Sequence, residues 1–423
     1  LLLALLLACT LDESTTCADG GTGELRLALD LPDEPWEIAP ALDVYDAAGS
    51  LVASVIDADQ ALELPGGTYT LAARRGLVDG DAVGAAYGLL EDTVQKVCVV
   101  DGETAEWSGT WSPQPSAGKL WMTSGEVASG FAPDALSTGG EVTPEVSFDV
   151  PYSNDLRGFA VDSLGNLWVA TSPTYGAKLL IYPPVGAEGG ADPMELGAEL
   201  FADNVQIQDI LFDAKDQLWV LIAGSNAGTV GLWAFAPEQA IAHLATGALP
   251  ERPAQQLTVT GLVRAEDMVE GPDQRLWLAD FDGNQVLSVG VGHAVDAAPA
   301  EVMPERAFTV RWDDETGTHT LDGPTALGFD AAGRLWVNYW TSGTLARFDA
   351  MTSDAVRVPD AQVGSDVLDL LGGLATDRAG AVWFGNERMG GELVAIDAED
   401  GAELSRAGVG ASPPVDLVFD PLP

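Results

Sequence analysis

The chain has 423 residues, with 19 Lys+Arg against 65 Asp+Glu and a formal net charge of −46. So negative a surface repels phosphate, which excludes nucleic-acid binding as a main role, and the length suits two or three domains rather than one. No run of about 18 apolar residues is available to cross a bilayer as a helix, while an apolar share of 47% supplies ample material for a core.

Residues 1–9, LLLALLLAC, read as the end of a signal-peptide apolar core, too short for a membrane span. Leu6-Leu7-Ala8-Cys9 resembles the bacterial lipobox, in which a Cys behind a small residue is lipidated; the alternative is a plain secretory signal that happens to contain a Cys. The lipobox reading predicts a protein of the cell envelope, anchored by lipid at the outer membrane or cell surface, with residues 10–22 as a tether. Cys17 and Cys98 are the other two cysteines. In an oxidising compartment they are disulfide candidates, with two separate buried thiols as the alternative.

Residues 23–112 follow as short strands between turns. Glu24–Leu29 alternates polar and apolar, Leu42–Tyr45 does the same before Asp46-Ala47-Ala48-Gly49, and Leu62–Leu71 reads strand, Pro-Gly-Gly turn, strand. Val94–Val100 and Thr104–Trp111 repeat the rhythm, so a β-sandwich is expected. Its Pro-Gly-Gly-Thr-Tyr-Thr-Leu stretch resembles carboxypeptidase-regulatory or transthyretin-like sandwiches. Ser112–Ser116 reads as a short stiff linker.

Residues 117–423 carry a repeat. Trp121, Trp168, Trp219, Trp277, Trp336 and Trp383 are spaced by 47, 51, 58, 59 and 47 residues. Five are preceded by an apolar strand and a small turn, as in GFAVDSLGNLW and ALGFDAAGRLW, and a further hairpin follows each of these, as at Lys178–Tyr182 and Thr344–Phe348. Four strands in about 50 residues make a propeller blade. The first unit lacks its inner strand and Val415–Asp420 is an inner strand without a Trp strand after it, so the two ends should pair and close a six-bladed propeller. The whole chain is thus expected to be all-β, and the six tryptophans are expected to be buried between blades.

The motif of apolar strand, Asp, Gly-containing turn and Leu-Trp-Val resembles the NHL, streptogramin-lyase and gluconolactonase-like (senescence-marker-type) propellers. That resemblance implies a divalent cation held in the channel by Glu, Asn and Asp in the gluconolactonase-like group, or His and Glu near Mg²⁺ in the lyases. His243, His293 and His319 fall outside the inner-strand positions, which leaves a His-based lyase unsupported. Ten residues before the Trp position stand Asp209, Asp267 and, through the wrap-around, Asp416; the equivalent positions Gly158, Ala326 and Gly373 carry no oxygen. Two roles are open for these carboxylates: ligands of a hard cation, for which Ca²⁺ is the candidate, or structural ties to backbone N–H groups of a neighbouring blade. Glu266 beside Asp267 is the candidate general base, and Arg157 either pairs with a ring Asp or grips an anionic ligand. Asp280–Asn284 resembles part of a calcium loop but falls where a hairpin turn is required. Asn338, Asn386 and Glu387 lie near the channel mouth, where Asn commonly serves backbone geometry.

Two functions follow from this reading. One is a non-catalytic binding module for a protein, glycan or small molecule, joined to the membrane through its lipid anchor alone. The other is a cation-dependent lactonase-like hydrolase or lyase working at the channel through Asp209, Asp267, Asp416 and Glu266.

Overall fold

The computed structural model describes residues 17, 20–56, 59–78, 85–90, 93–114, 118–151, 156–172, 177–184, 193–196, 205–224, 230–246, 253–291, 299–314, 317–349, 354–363, 371–377, 379–386, 391–410 and 416–420. Cys9, residues 10–16, 18 and 19 of the expected tether, His293 and Glu387 lie outside the described residues.

Alternation along Thr22–Asp30 puts Leu25, Leu27 and Leu29 on one face, all of them buried. This strand lies between Thr104–Thr110, parallel to it, and Asp59–Pro65, antiparallel. A second sheet runs in the order Leu51–Val55, Ala41–Tyr45, Gly67–Arg74, Val94–Val99. Its Leu42, Val44, Leu71 and Val99 meet the three leucines of the first sheet in one core, so the N-terminal region is a sandwich. Thr68 pairs with Cys98, and Cys98 is joined by a disulfide to Cys17, with 5.8 Å between their Cα atoms. The expected linker is in part a strand. Ser112-Pro113 pairs with Tyr87-Gly88, and the buried Gln114 donates through Nε2 to Leu164 O at 2.9 Å. The segment is docked because it still has partners for its backbone, which a free spacer lacks.

Beyond it, among the described residues, come six sheets, numbered one to six in chain order, whose inner strands are Asp416–Asp420, Leu156–Val161, Val205–Phe212, Ala265–Glu270, Pro324–Phe329 and Leu371–Thr376. Each inner strand pairs antiparallel with the strand that carries the repeat Trp. In sheet one that partner is Lys119–Ser124, so the last described strand completes the sheet that begins the repeat, with Lys119 opposite Asp420 and Thr123 opposite Asp416. Six apolar cores fill the spaces between successive sheets, and one of them joins Ala375, Trp383 and Leu393 of sheet six to Leu120, Met122 and Leu417 of sheet one. The series therefore closes on itself, and the fold is all-β and of the β-propeller kind. Three outer edges are covered by a parallel strand lent from the next sheet's connections: Gly140-Glu141 on sheet six, Ala300–Val302 on sheet three and Val356-Arg357 on sheet four.

The repeat Trp is buried in all six sheets, at 3% exposure or less. Packing is only half of its role. Asp162, Asp213, Asp330 and Asp377 each accept the indole Nε1–H of the Trp six residues on, at 2.9–3.0 Å, while the other oxygen accepts backbone N–H groups of the intervening turn. A buried indole needs such an acceptor. In every sheet the residue three before the Trp has positive φ, from 58° at Gln274 to 91° at Gly380, and four of the six are glycine. At the ring's seam the same turn bond forms across the chain ends: Gly118 N donates to Asp420 O, as Gly165 N donates to Asp162 O.

Candidate functional site

Every inner strand followed from sheet two to sheet six has a β-bulge near its start, between Leu156 and Phe159, Ile207 and Asp209, Ala265 and Asp267, Pro324 and Ala326, and Leu371 and Leu374. A bulge takes a backbone N–H out of the ladder, and that donor needs another acceptor. Asp416 supplies one across a sheet boundary, its Oδ2 accepting from Phe159 N at 2.7 Å. Asp209 accepts from Met268 N at 2.8 Å, and Asp267 from Leu327 N at 2.5 Å. Each carboxylate thus ties its own sheet to the next. Asp209 and Asp416 use the other oxygen on the N–H that follows them, at 2.7 and 2.8 Å.

At the three positions without Asp, the local geometry or another side chain explains the residue present. A Cβ on Gly158 would stand 2.6 Å from Ile210 N, and one on Gly373 would stand 2.6 Å from Asp416 Cα, so the neighbouring strand approaches too closely for a side chain. Between sheets two and three the tie is Ser172, whose Oγ donates to Ile207 O and accepts from Ile207 N, both at 2.8 Å. Ala326 is paired with Asn338, and the Asn338 Nδ2 donates to Gly372 O of sheet six at 3.1 Å.

Asp209 is buried, Asp267 and Asp416 are half-buried, and the three feel one another. Burial, then the charges of Asp267 and Asp416, push Asp209 well above the usual carboxylate range. Burial raises Asp267 to about 6, and burial followed by the charge of Asp267 raises Asp416. Asp209 and Asp267 titrate together, so the raised proton affinity belongs to the pair. Among the described residues, no group of three or more His, Cys, Asp or Glu is arranged to hold a metal ion.

Glu266 stands one position before Asp267 on the bulge and is engaged by two guanidiniums, Arg264 Nε at 2.8 Å and Arg157 Nη1 at 3.8 Å. Arg157 therefore faces Glu266 from two sheets away. The calcium-like loop closes on itself: buried Asp280 accepts from Val263 N, Arg264 N and Gly283 N through Oδ1 and from Gln285 Nε2 through Oδ2. Asn386 donates through Nδ2 to Glu392 at 2.9 Å. His319 stacks on Trp312 in the outer hairpin of sheet four, with centroids 5.0 Å apart, and His243 belongs to the helix Pro237–Thr246.

Beside Glu266, an aromatic pair reaches solvent. Trp340 is 40% exposed and meets Phe281 edge to face at 5.9 Å, while the Arg264 guanidinium lies 4.4 Å from the Phe281 ring centre. Its turn is fixed by Trp340 N donating to Gly323 O and Gly323 N donating to Asn284 Oδ1, both at 2.9 Å. An exposed Trp on a single turn has no periodic signature, so the sequence does not reveal it.

No protein-family model matches the chain, and no curated protein does. Solved structures similar to it include a protein of unknown function from Bacteroides caccae, at 11% identity and a TM-score of 0.46 over 70% of this chain and 98% of that one. The periplasmic gluconolactonase of Pseudomonas aeruginosa is similar at 13% identity and a TM-score of 0.44, over 90% of this chain and 98% of that one. Virginiamycin B lyase from Staphylococcus aureus follows at 11% identity and a TM-score of 0.34, over 58% and 68%. These likenesses are weak, and the fold rests on the strand pairing described above.

Proposed function

We propose that the chain is an exported, lipid-anchored protein whose six-bladed propeller is a non-catalytic binding module, with its ligand taken at the channel rim around Trp340, Phe281 and Arg264. The observation that carries this reading is the use made of the channel carboxyls. Asp209, Asp267 and Asp416 each accept a backbone N–H from the next sheet, and burial favours their neutral forms. A hard cation requires a group of oxygens turned toward a common centre, and among the described residues no such acidic cluster is found. Glu266 is held between two arginines, so its oxygens already face charge partners. An exposed aromatic held by a rigid turn offers contact area at little entropic cost, which suits recognition.

Calorimetric titration of the purified protein with CaCl₂, run beside an assay of glucono-lactone hydrolysis, tests the proposal. No saturable heat and no hydrolysis above the buffer rate are expected. A one-to-one calcium site abolished in Asp267→Asn, with turnover lost in Glu266→Gln, would establish the lactonase-like alternative instead. Anchoring is tested separately: Cys9→Ser should move the protein from the membrane fraction to the soluble fraction, and retention in the membrane would contradict the anchor.

A further inference from the structure

In sheets two to six the inner strand and the Trp strand are joined by a covalent turn; in sheet one they belong to opposite ends of the repeat and meet only through hydrogen bonds. Asp420 occupies the repeat's turn-Asp position there. Its counterparts Asp162, Asp213 and Asp330 receive N–H donors from residues two and four further along their own turns. Among the described residues Asp420 receives no such turn donors, and its side chain is completely buried. A buried carboxylate without donors is costly.

The donor comes from elsewhere in the chain. Arg75, between the sandwich strands Gly67–Arg74 and Gly76–Val78, puts its Nη1 on Asp420 Oδ1 in a buried ion pair, its own side chain 8% exposed. The Arg75 backbone N–H donates to Ser163 O in the turn of sheet two at 3.0 Å. Nearby, Gln114 enters the same contact just before Lys119–Ser124 begins, and Gly88 and Gly165 leave the space it fills. The N-terminal region thus holds the C-terminal strand through Arg75, and the adjoining turn of sheet two through the Arg75 N–H and Gln114. Among the described residues the other Asp420 oxygen, Oδ2, has no donor, so the hold on this carboxylate is the guanidinium.

We propose that Arg75 is the seam lock of the propeller, a guanidinium from the N-terminal sandwich that replaces the missing turn and keeps the C-terminal strand in the ring. The sandwich is then a working part of the closure and not only a spacer. Without the lock, Asp416–Asp420 frays first and uncovers the edge of Lys119–Ser124.

Hydrogen exchange by mass spectrometry on the full chain tests this. In Arg75→Ala, peptides covering 416–420 and 119–124 should exchange about tenfold faster or more, while those covering 324–329 and 25–29 keep their wild-type rates. Unchanged exchange at 416–420, or an equal rise in all four, would overturn the proposal. Should Arg75→Ala fail to fold, the pair Arg75→Met with Asp420→Asn removes the buried charge from both sides. It should recover a melting temperature near that of the wild type and still exchange fast at 416–420. Wild-type exchange at the seam of this double variant would likewise overturn the lock.

Discussion

Asp209, Asp267 and Asp416 share one problem: a carboxyl shielded from water must either lose its charge or find donors. Here it does both, since each accepts a backbone N–H and burial raises its proton affinity. Because the folded-state values lie above those of the unfolded chain, folding holds extra protons between about pH 4 and pH 6 and above. Their contribution is therefore present in acid and lost as pH rises through the folded values. Asp162, raised to about 6 by burial and the charge of Asp216, acts in the same direction. Melting temperature should be higher at pH 5 than at pH 8, and Asp209→Asn, which mimics the neutral acid, should reduce the difference. A protein that melts lower at pH 5 than at pH 8 would contradict this assignment of protons. At the same scale, Trp219→Ala removes a side chain that is 0% exposed and should cost about 3–5 kcal/mol, read from denaturant unfolding; a loss under about 1 kcal/mol would show that the site repacks.

At the scale of the element, the turn between inner strand and Trp strand is the unit that recurs, and its rules expose one local misfit. The position three before the Trp has positive φ throughout, and Gln274 fills it at φ 58° where glycine serves in four other sheets. Gln274→Gly should stabilise by roughly 0.5–1 kcal/mol, the strain relieved exceeding the entropy added to the unfolded chain. A lower melting temperature would mean that the Gln274 side chain contributes more than its backbone costs. This unit was also what made the fold readable from sequence. Trp, Gly and alternating apolar residues recur at short range, so strands such as Lys178–Tyr182 and Thr344–Phe348 stand where periodicity puts them. The site was readable only in part. The residue types at 209, 267 and 416 pointed to the channel, but their acceptor role depends on Met268, Leu327 and Phe159, which lie in other sheets. Arg75 was illegible for the same reason, since nothing near it in sequence repeats and its partner is 345 residues away. The lent outer strands Gly140-Glu141 and Val356-Arg357 are two residues long, too short for any pattern.

For the molecule as a whole, a net charge of −46 means that folding gathers like charges, and salt that screens them over about 8 Å should raise the melting temperature between low and physiological ionic strength. An indifferent melting temperature would mean that the acids are already compensated by their ion pairs. The Cys17–Cys98 disulfide spans 81 residues, and in the chain-entropy account a loop of that length is worth roughly 4 kcal/mol, so reductant should lower the melting temperature of the sandwich in particular. Closure of the ring underlies the channel, the ties across it and the seam lock alike. It is tested most directly by Met122→Cys with Leu417→Cys, two positions that face each other across the seam. Peptide mapping of the oxidised double variant should recover the 122–417 cross-link in the monomer under mild oxidation. A monomer in which both new thiols stay free to alkylating reagent would contradict the closed propeller.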